Sequence, residues 1–296
     1  SPAGIIDMAV QLSKQPGIVL CTFGDIMRVP GNTGSLLKAK ADGGQVRMVY
    51  SPLDAVQFAK ANPQLQVVFL AVGFETTAPA NALAVLHAKE RQIENFSLLV
   101  SHVLVPPAME ALLRDPDTRI DGFLAAGHVC TVMGTGEYYL ICEKYHVPVV
   151  VTGFEPVDLL AGLLSCIRLL ESGQFIVNNQ YSRVVKEEGN IKARELINRV
   201  FTRADQEWRG IGLLPDSGLA LNDEFRKYDA LARFGEISMT LDEPNGCIAG
   251  QILKGISKPT ECPFFGNACT PDNPMGAPMV SSEGACAAYF NFAHTR

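Results

Sequence analysis

The sequence predicts an α/β protein with two doubly wound parallel-sheet units and a small C-terminal cysteine-rich domain. Two observations predict the sheets: short runs of Val, Leu and Phe that are apolar on both faces, and helical patterns that alternate with them. A third predicts the tail, where Cys247, Cys262, Cys269 and Cys286 fall among Gly and Pro.

A helix-like segment at 5–12 opens the chain. Strands are expected at 17–23, 46–50, 67–72, 96–101, 122–125 and 148–152, because each run is short, β-rich and mostly apolar on both sides. Helices are expected between them at 53–61, 79–91, 107–114 and 157–171, and later at 191–203 and 223–234. Asn62-Pro63-Gln64 offers one linker and residues 241–246 another. That places a first α/β unit at 1–63, a second at 64–240 and the cysteine-rich unit at 241–296.

An internal echo marks the strand ends. Residues 67–78 read VVFLAVGFETTA and 149–160 read VVVTGFEPVDLL, so each strand ends in Gly-Phe-Glu and a helix starts at once. Thr76 or Thr77 is expected to cap the first helix, and Pro156 to sit in the first turn of the second. The segment 18–28, IVLCTFGDIMR, does the same with Gly-Asp. In open α/β sheets these ends border the ligand crevice, so Asp25, Glu75 and Glu155 would share a site if their strands are neighbours. A carboxylate in a first helical turn also complements the helix dipole with no further role. His102 and His128 follow strand ends as well, where a capping or core histidine is the plainer use. No P-loop, G-x-G-x-x-G, G-x-S-x-G or H-E-x-x-H pattern is present.

The four tail cysteines read as ligands of one metal centre. Fourteen, six and sixteen residues lie between them, and prolines follow Cys262 at once and Cys269 after one residue. Structural zinc sites pair their ligands as C-x2-4-C, which this spacing lacks, whereas iron–sulfur clusters accept ligands from scattered loops, often with a proline after a cysteine. A [4Fe–4S] cluster is therefore expected, with zinc, or disulfides or unliganded thiols, as alternatives. Cys21, Cys130, Cys142 and Cys166 are scattered through apolar segments, as buried free thiols are, which fits a reducing cytoplasm.

The chain has 296 residues, 47% apolar and 19% charged, enough for a large core. A net charge of −6 without a basic stripe argues against a nucleic-acid partner. No apolar stretch is long enough to span a bilayer, and no signal peptide is evident. The chain starts at Ser1 without an initiator Met, as a fragment would.

Six segments, in order, carry a resemblance: TFGDIMRVPG at 22–31, GFETT at 73–77, GHV at 127–129, GFEP at 153–156, WRG at 208–210 and VSSEGAC at 280–286. Together they resemble the HypD family of [NiFe]-hydrogenase maturation proteins over essentially the whole chain. The resemblance implies two α/β domains and a third carrying a [4Fe–4S] cluster on Cys247, Cys262, Cys269 and Cys286. It implies a scaffold role in building the Fe(CN)2CO group, with iron held transiently alongside a HypC-type chaperone and a HypE-type cyanide donor. Asp25, Arg28, Glu75, Thr76, Thr77, His128 and Glu155 fall in the family's cleft motifs, and Glu283 in its VSSEG turn.

The departures are specific. The family's CGTH and GPGCPVC segments precede TFGD and would end before this chain begins. Ala249 and Pro278 stand where many relatives have further cysteines, and Ala126 stands where proline is usual. Arg28 has a plainer use as the partner of Asp25 on the same turn. Two other functions stay open: a stand-alone iron–sulfur oxidoreductase and a zinc-stabilised interaction protein.

Overall fold

In the computed structural model, residues 2–235 and 246–293 are described. The first part runs α1 (Ala3–Ser13), β1 (Ile18–Thr22), α2 (Leu36–Ala41), β2 (Val46–Met48), α3 (Pro52–Ala61), β3 (Gln66–Gly73), α4 (Ala78–Glu90), β4 (Phe96–Val103) and α5 (Val105–Arg114). It continues with β5 (Phe123–Ala126), α6 (Gly127–Met133), α7 (Gly136–Tyr145), β6 (Val149–Thr152), α8 (Pro156–Glu171), β7 (Val177–Asn179) and α9 (Ile191–Val200). A hairpin of β8 (Phe201–Trp208) and β9 (Gly212–Leu221), then the short α10 (Ala230–Phe234), complete it. The tail holds α11 (Ala249–Leu253), α12 (Ala277–Val280) and α13 (Ala285–Phe292).

Six strands form one mixed sheet in the order β2-β1-β3-β4-β9-β8, and three form a parallel sheet in the order β5-β6-β7. In the larger sheet β1 pairs in parallel with β2 and β3, and β3 with β4, while β9 lies antiparallel to β4 and β8. Alternate residues of β3 show why the strands read as apolar throughout. Val67, Phe69 and Ala71 pack under α3, α4 and α9, while Val68 and Leu70 face α1 and α2. The helices start on recognisable signals: Ser51 accepts the Leu53 N–H with Pro52 behind it, and Asn190 accepts the Ala193 N–H.

Several expectations are corrected. Asn62-Pro63-Gln64 joins α3 to β3 inside one sheet, since β1 and β3 lie on either side of it and pair directly. The second linker, apart from Gly246, lies outside the described residues. The helix expected at 191–203 stops at Val200, and the chain turns into β8, an edge strand whose charged residues read as helical. Its partner β9 went unforeseen because Pro215 and Gly218 interrupt it, and Asp216 takes φ +50 beside a register shift at Ala204/Gln206. The helix expected at 223–234 is a 3-10 turn over Asp223–Tyr228 followed by α10, with Asp229 capping α10.

The smaller sheet packs one face against α6 and α7 through Ala125, Val149 and Val151 with Cys130, Tyr138, Ile141 and Cys142. The other face is covered only thinly, by Cys166 and Leu169 of α8 against Val150. No described helix is long and apolar enough to cross a membrane.

Candidate functional site

The tail folds its cysteines inward. Cys269 and Cys286 are buried in a small core with Ile252, Met279 and Ala287, flanked by Phe264, Phe265 and Phe290. Prolines and backbone turns set the approach: Cys262 follows a 3-10 turn over Pro259–Glu261, and the Cys269 N–H donates to the Phe264 carbonyl at 2.9 Å. Cys286 stands in the first turn of α13. Its thiol is pushed up to about 11, by burial first and then by Cys269, Cys247 and Cys262, so each of the other three lies within electrostatic reach of Cys286. The Met275 N–H donates to Cys269 Sγ at 3.4 Å, and a Cβ on Gly276 would lie 2.7 Å from Cys247 Sγ. Among the described residues, no three His, Cys, Asp or Glu side chains close tightly enough to hold a single ion. Four thiols are soft donors, of the kind that hold an iron–sulfur cluster or a zinc ion.

The remaining cysteines behave as expected. Cys21, Cys130, Cys142 and Cys166 are buried, and no disulfide occurs among the described residues. Burial drives Cys21 to about 12 and Cys130 to about 11, which keeps both as thiols.

At the end of β3, Glu75 is 1% exposed. One oxygen accepts the Val105 N–H at 2.8 Å and the other has no hydrogen-bond partner, so burial holds the carboxyl up at about 7. Cys130 and Tyr138 of the smaller sheet's helices feel its charge, which places Glu75 at the junction of the two sheets. Thr77 occupies the N-cap position of α4 but caps nothing with its side chain: its hydroxyl lies 3.2 Å from the Phe74 carbonyl and 3.1 Å from His102 Nε2. Asn81 reaches the same ring nitrogen at 3.0 Å. Burial lowers His102 to about 4, so the ring is neutral, as a core histidine is. Thr76 is half-buried in the same turn.

β1 and β3 are neighbours and β6 belongs to the other sheet, so the three acids do not form one cluster through sheet adjacency. Asp25 accepts the Ile26 N–H and stands exposed, as does Arg28, and the two form no ion pair among the described residues. The loop that follows is pinned by Asp7 of α1, which accepts the N–H groups of Asn32 at 3.0 Å and Thr33 at 2.7 Å, and the Thr33 hydroxyl at 2.6 Å.

His128 and Phe154 bring the GHV and GFEP turns together, with rings 5.0 Å apart and His128 exposed. Glu155 is paired with Arg183 at 3.0 Å, and the same guanidinium grips Asp158 at 2.7 and 2.5 Å and lies over the Tyr181 ring. Arg183, Asp158 and Asp7 escaped the sequence reading, since their partners lie some 25 or more residues away and leave no local pattern. Glu283 is exposed in its turn, where its N–H donates to Ser281 Oγ at 3.2 Å.

Fold and site together define an α/β protein whose helices cover both faces of a largely parallel sheet, with a tail that gathers four thiols. The chain belongs to the HypD family: the family model, described as hydrogenase formation hypA family, matches residues 1–293. It is 48% identical to hydrogenase maturation factor HypD2 of Bradyrhizobium diazoefficiens over 303 residues, covering 100% of this chain and 80% of that protein. It is 45% identical to the hydrogenase maturation factor HypD of Azotobacter vinelandii, over 100% of this chain and 80% of that one. The HypD of Escherichia coli is also 45% identical, over 98% of this chain and 78% of its own length.

Proposed function

We propose that this chain acts in hydrogenase formation as a scaffold on which the Fe(CN)2CO group is assembled, with a [4Fe–4S] cluster on Cys247, Cys262, Cys269 and Cys286. The observation that carries the reading is the convergence of those four thiols in a tail of a chain otherwise built as an α/β fold. Release of cyanide from a thiocyanate carrier consumes reducing equivalents, because the S–C bond breaks to leave thiolate and cyanide. A cluster bound at the four thiols would supply electrons at low potential.

The chain's own residues have positioning work. Arg28 and His128, exposed at strand ends, carry donors suited to an anionic ligand, and Asp25 carries an acceptor. Glu75 holds a proton up to about neutral pH at the junction of the sheets. The partners of this reading are a HypC-type chaperone and a HypE-type cyanide donor. It is supported by α8, where Val157, Leu160, Leu163, Leu164 and Ile167 stand exposed, an apolar surface of the kind that protein partners bury.

The test is anaerobic co-purification of the chain with both partners, followed by infrared spectroscopy. Cyanide and carbonyl stretches on a complex that survives gel filtration would support the scaffold. Redox turnover of a small substrate by the chain alone, with no such complex, would favour a stand-alone oxidoreductase instead.

A further inference from the structure

The WRG segment sits at the turn of the β8–β9 hairpin, at the far edge of the larger sheet, yet its side chains reach three other loops. Gly210 takes φ +87, so the chain can reverse directly after Arg209, and the Ile211 N–H closes the turn on the Trp208 carbonyl at 3.1 Å. Trp208 is fixed by its indole N–H, which donates to Ser217 Oγ at 3.0 Å across the hairpin. Its ring lies 6.4 Å from that of Phe74, in the GFETT turn.

Arg209 makes the longer reach. Its Nη1 donates to the Pro30 carbonyl at 3.2 Å, two residues beyond Arg28, and its Nη2 donates to the Met275 carbonyl at 3.0 Å. Met275 is the residue whose N–H bonds Cys269 Sγ, and the next residue, Gly276, packs against Cys247 Sγ. One guanidinium therefore ties the peptide that touches two of the four tail sulfurs to the loop that follows Asp25 and Arg28. The planar fork suits this, since two of its nitrogens point at two carbonyls at once, whereas an ammonium is a point donor.

We infer that Arg209 is a positioning residue, which holds the thiol-contacting loop around Met275 in register with the strand-end loop around Pro30 and so couples the two. The coupling rests on these two hydrogen bonds alone. Only its spectroscopic consequence rests on the metal-centre reading above.

The experiment compares the full chain with Arg209→Gln and Arg209→Lys by hydrogen exchange, together with iron content and electron paramagnetic resonance after anaerobic reconstitution. In Arg209→Gln, amides at 29–35 and at 270–277 exchange about tenfold faster together, while α3 and α4 are unchanged. Iron content holds, because every ligand is present, and the resonance spectrum shifts. Arg209→Lys, which keeps the charge and most of the stem, protects one of the two segments and not both. Wild-type exchange in both segments of the Lys variant overturns the inference, as does an unchanged Gln variant. A wild-type chain that takes up no iron and sulfide would sink the cluster reading, and the exchange comparison would still decide the role of Arg209.

Discussion

Glu75 Oε1 accepts the Val105 N–H at 2.8 Å, while Oε2 of the same carboxyl is buried with no hydrogen-bond partner. The bond ties the end of β3 to the start of α5, the helix that leads into the smaller sheet. Burial raises the carboxyl from 4.5 to about 7, and burial lowers His102, nearby on β4, from 6.5 to about 4.

These two groups oppose each other in their effect on stability. Glu75 keeps its proton in the folded chain where the unfolded chain has lost it, so its contribution is complete below about pH 4.5 and lost as pH rises to about 7. His102 does the reverse: its contribution is complete above about pH 6.5 and lost as pH falls to about 4. Each is worth on the order of 3 kcal/mol. Relative to wild type, Glu75→Gln is expected to gain stability as pH rises from 4.5 to about 7, and His102→Gln to lose stability as pH rises from about 4 to 6.5. Urea denaturation across this range measures both, and parallel curves for wild type and variants would refute the assignment.

Cys269→Ala is expected to abolish iron uptake and to loosen the tail from Gly246 onward, since Cys269 belongs both to the thiol set and to the tail's small core. Cys166→Ser is expected to keep the wild-type iron load, because Cys166 lies on the buried side of α8 against Val150, outside the thiol set. Iron per chain and exchange protection of the tail measure both, and an iron-loaded Cys269→Ala would break the four-ligand assignment.

Asp7→Ala removes the acceptor of two N–H groups and a hydroxyl in the loop after Arg28. The expected loss is about 3 kcal/mol, with faster exchange at Asn32 and Thr33. Calorimetry showing wild-type stability would mean the loop is held by other contacts.

Gly73→Ala tests the GFETT turn. Gly73 takes φ +150, and a Cβ there would collide with the Thr77 hydroxyl. The expected destabilisation is about 1–3 kcal/mol, with the Thr77–His102 contact disturbed. An unchanged melting temperature would show that the turn relaxes freely.

The strands β1, β3 and β4 could be read from the sequence because helices bury both of their faces, leaving unbroken apolar runs. The β8–β9 hairpin could not, because the edge strand β8 carries charge where it faces solvent, and Pro215 falls in the irregular stretch of β9 between its paired residues Leu214 and Gly218. The echo of Gly-Phe-Glu was visible, but its two copies end strands in different sheets, and strand order is a tertiary fact that local pattern does not encode. Cys247, Cys262, Cys269 and Cys286 stood out by residue type alone. Arg183 did not, and WRG marked Arg209 without its role, because an arginine matters here through carboxylates and carbonyls distant in sequence.

The most direct test of the account is anaerobic iron and sulfide analysis of the purified, reconstituted chain with its absorption spectrum. The account predicts about four irons and four sulfides per chain and a broad band at about 400 nm. Zinc at about one per chain, or no metal, with no visible band, would contradict it.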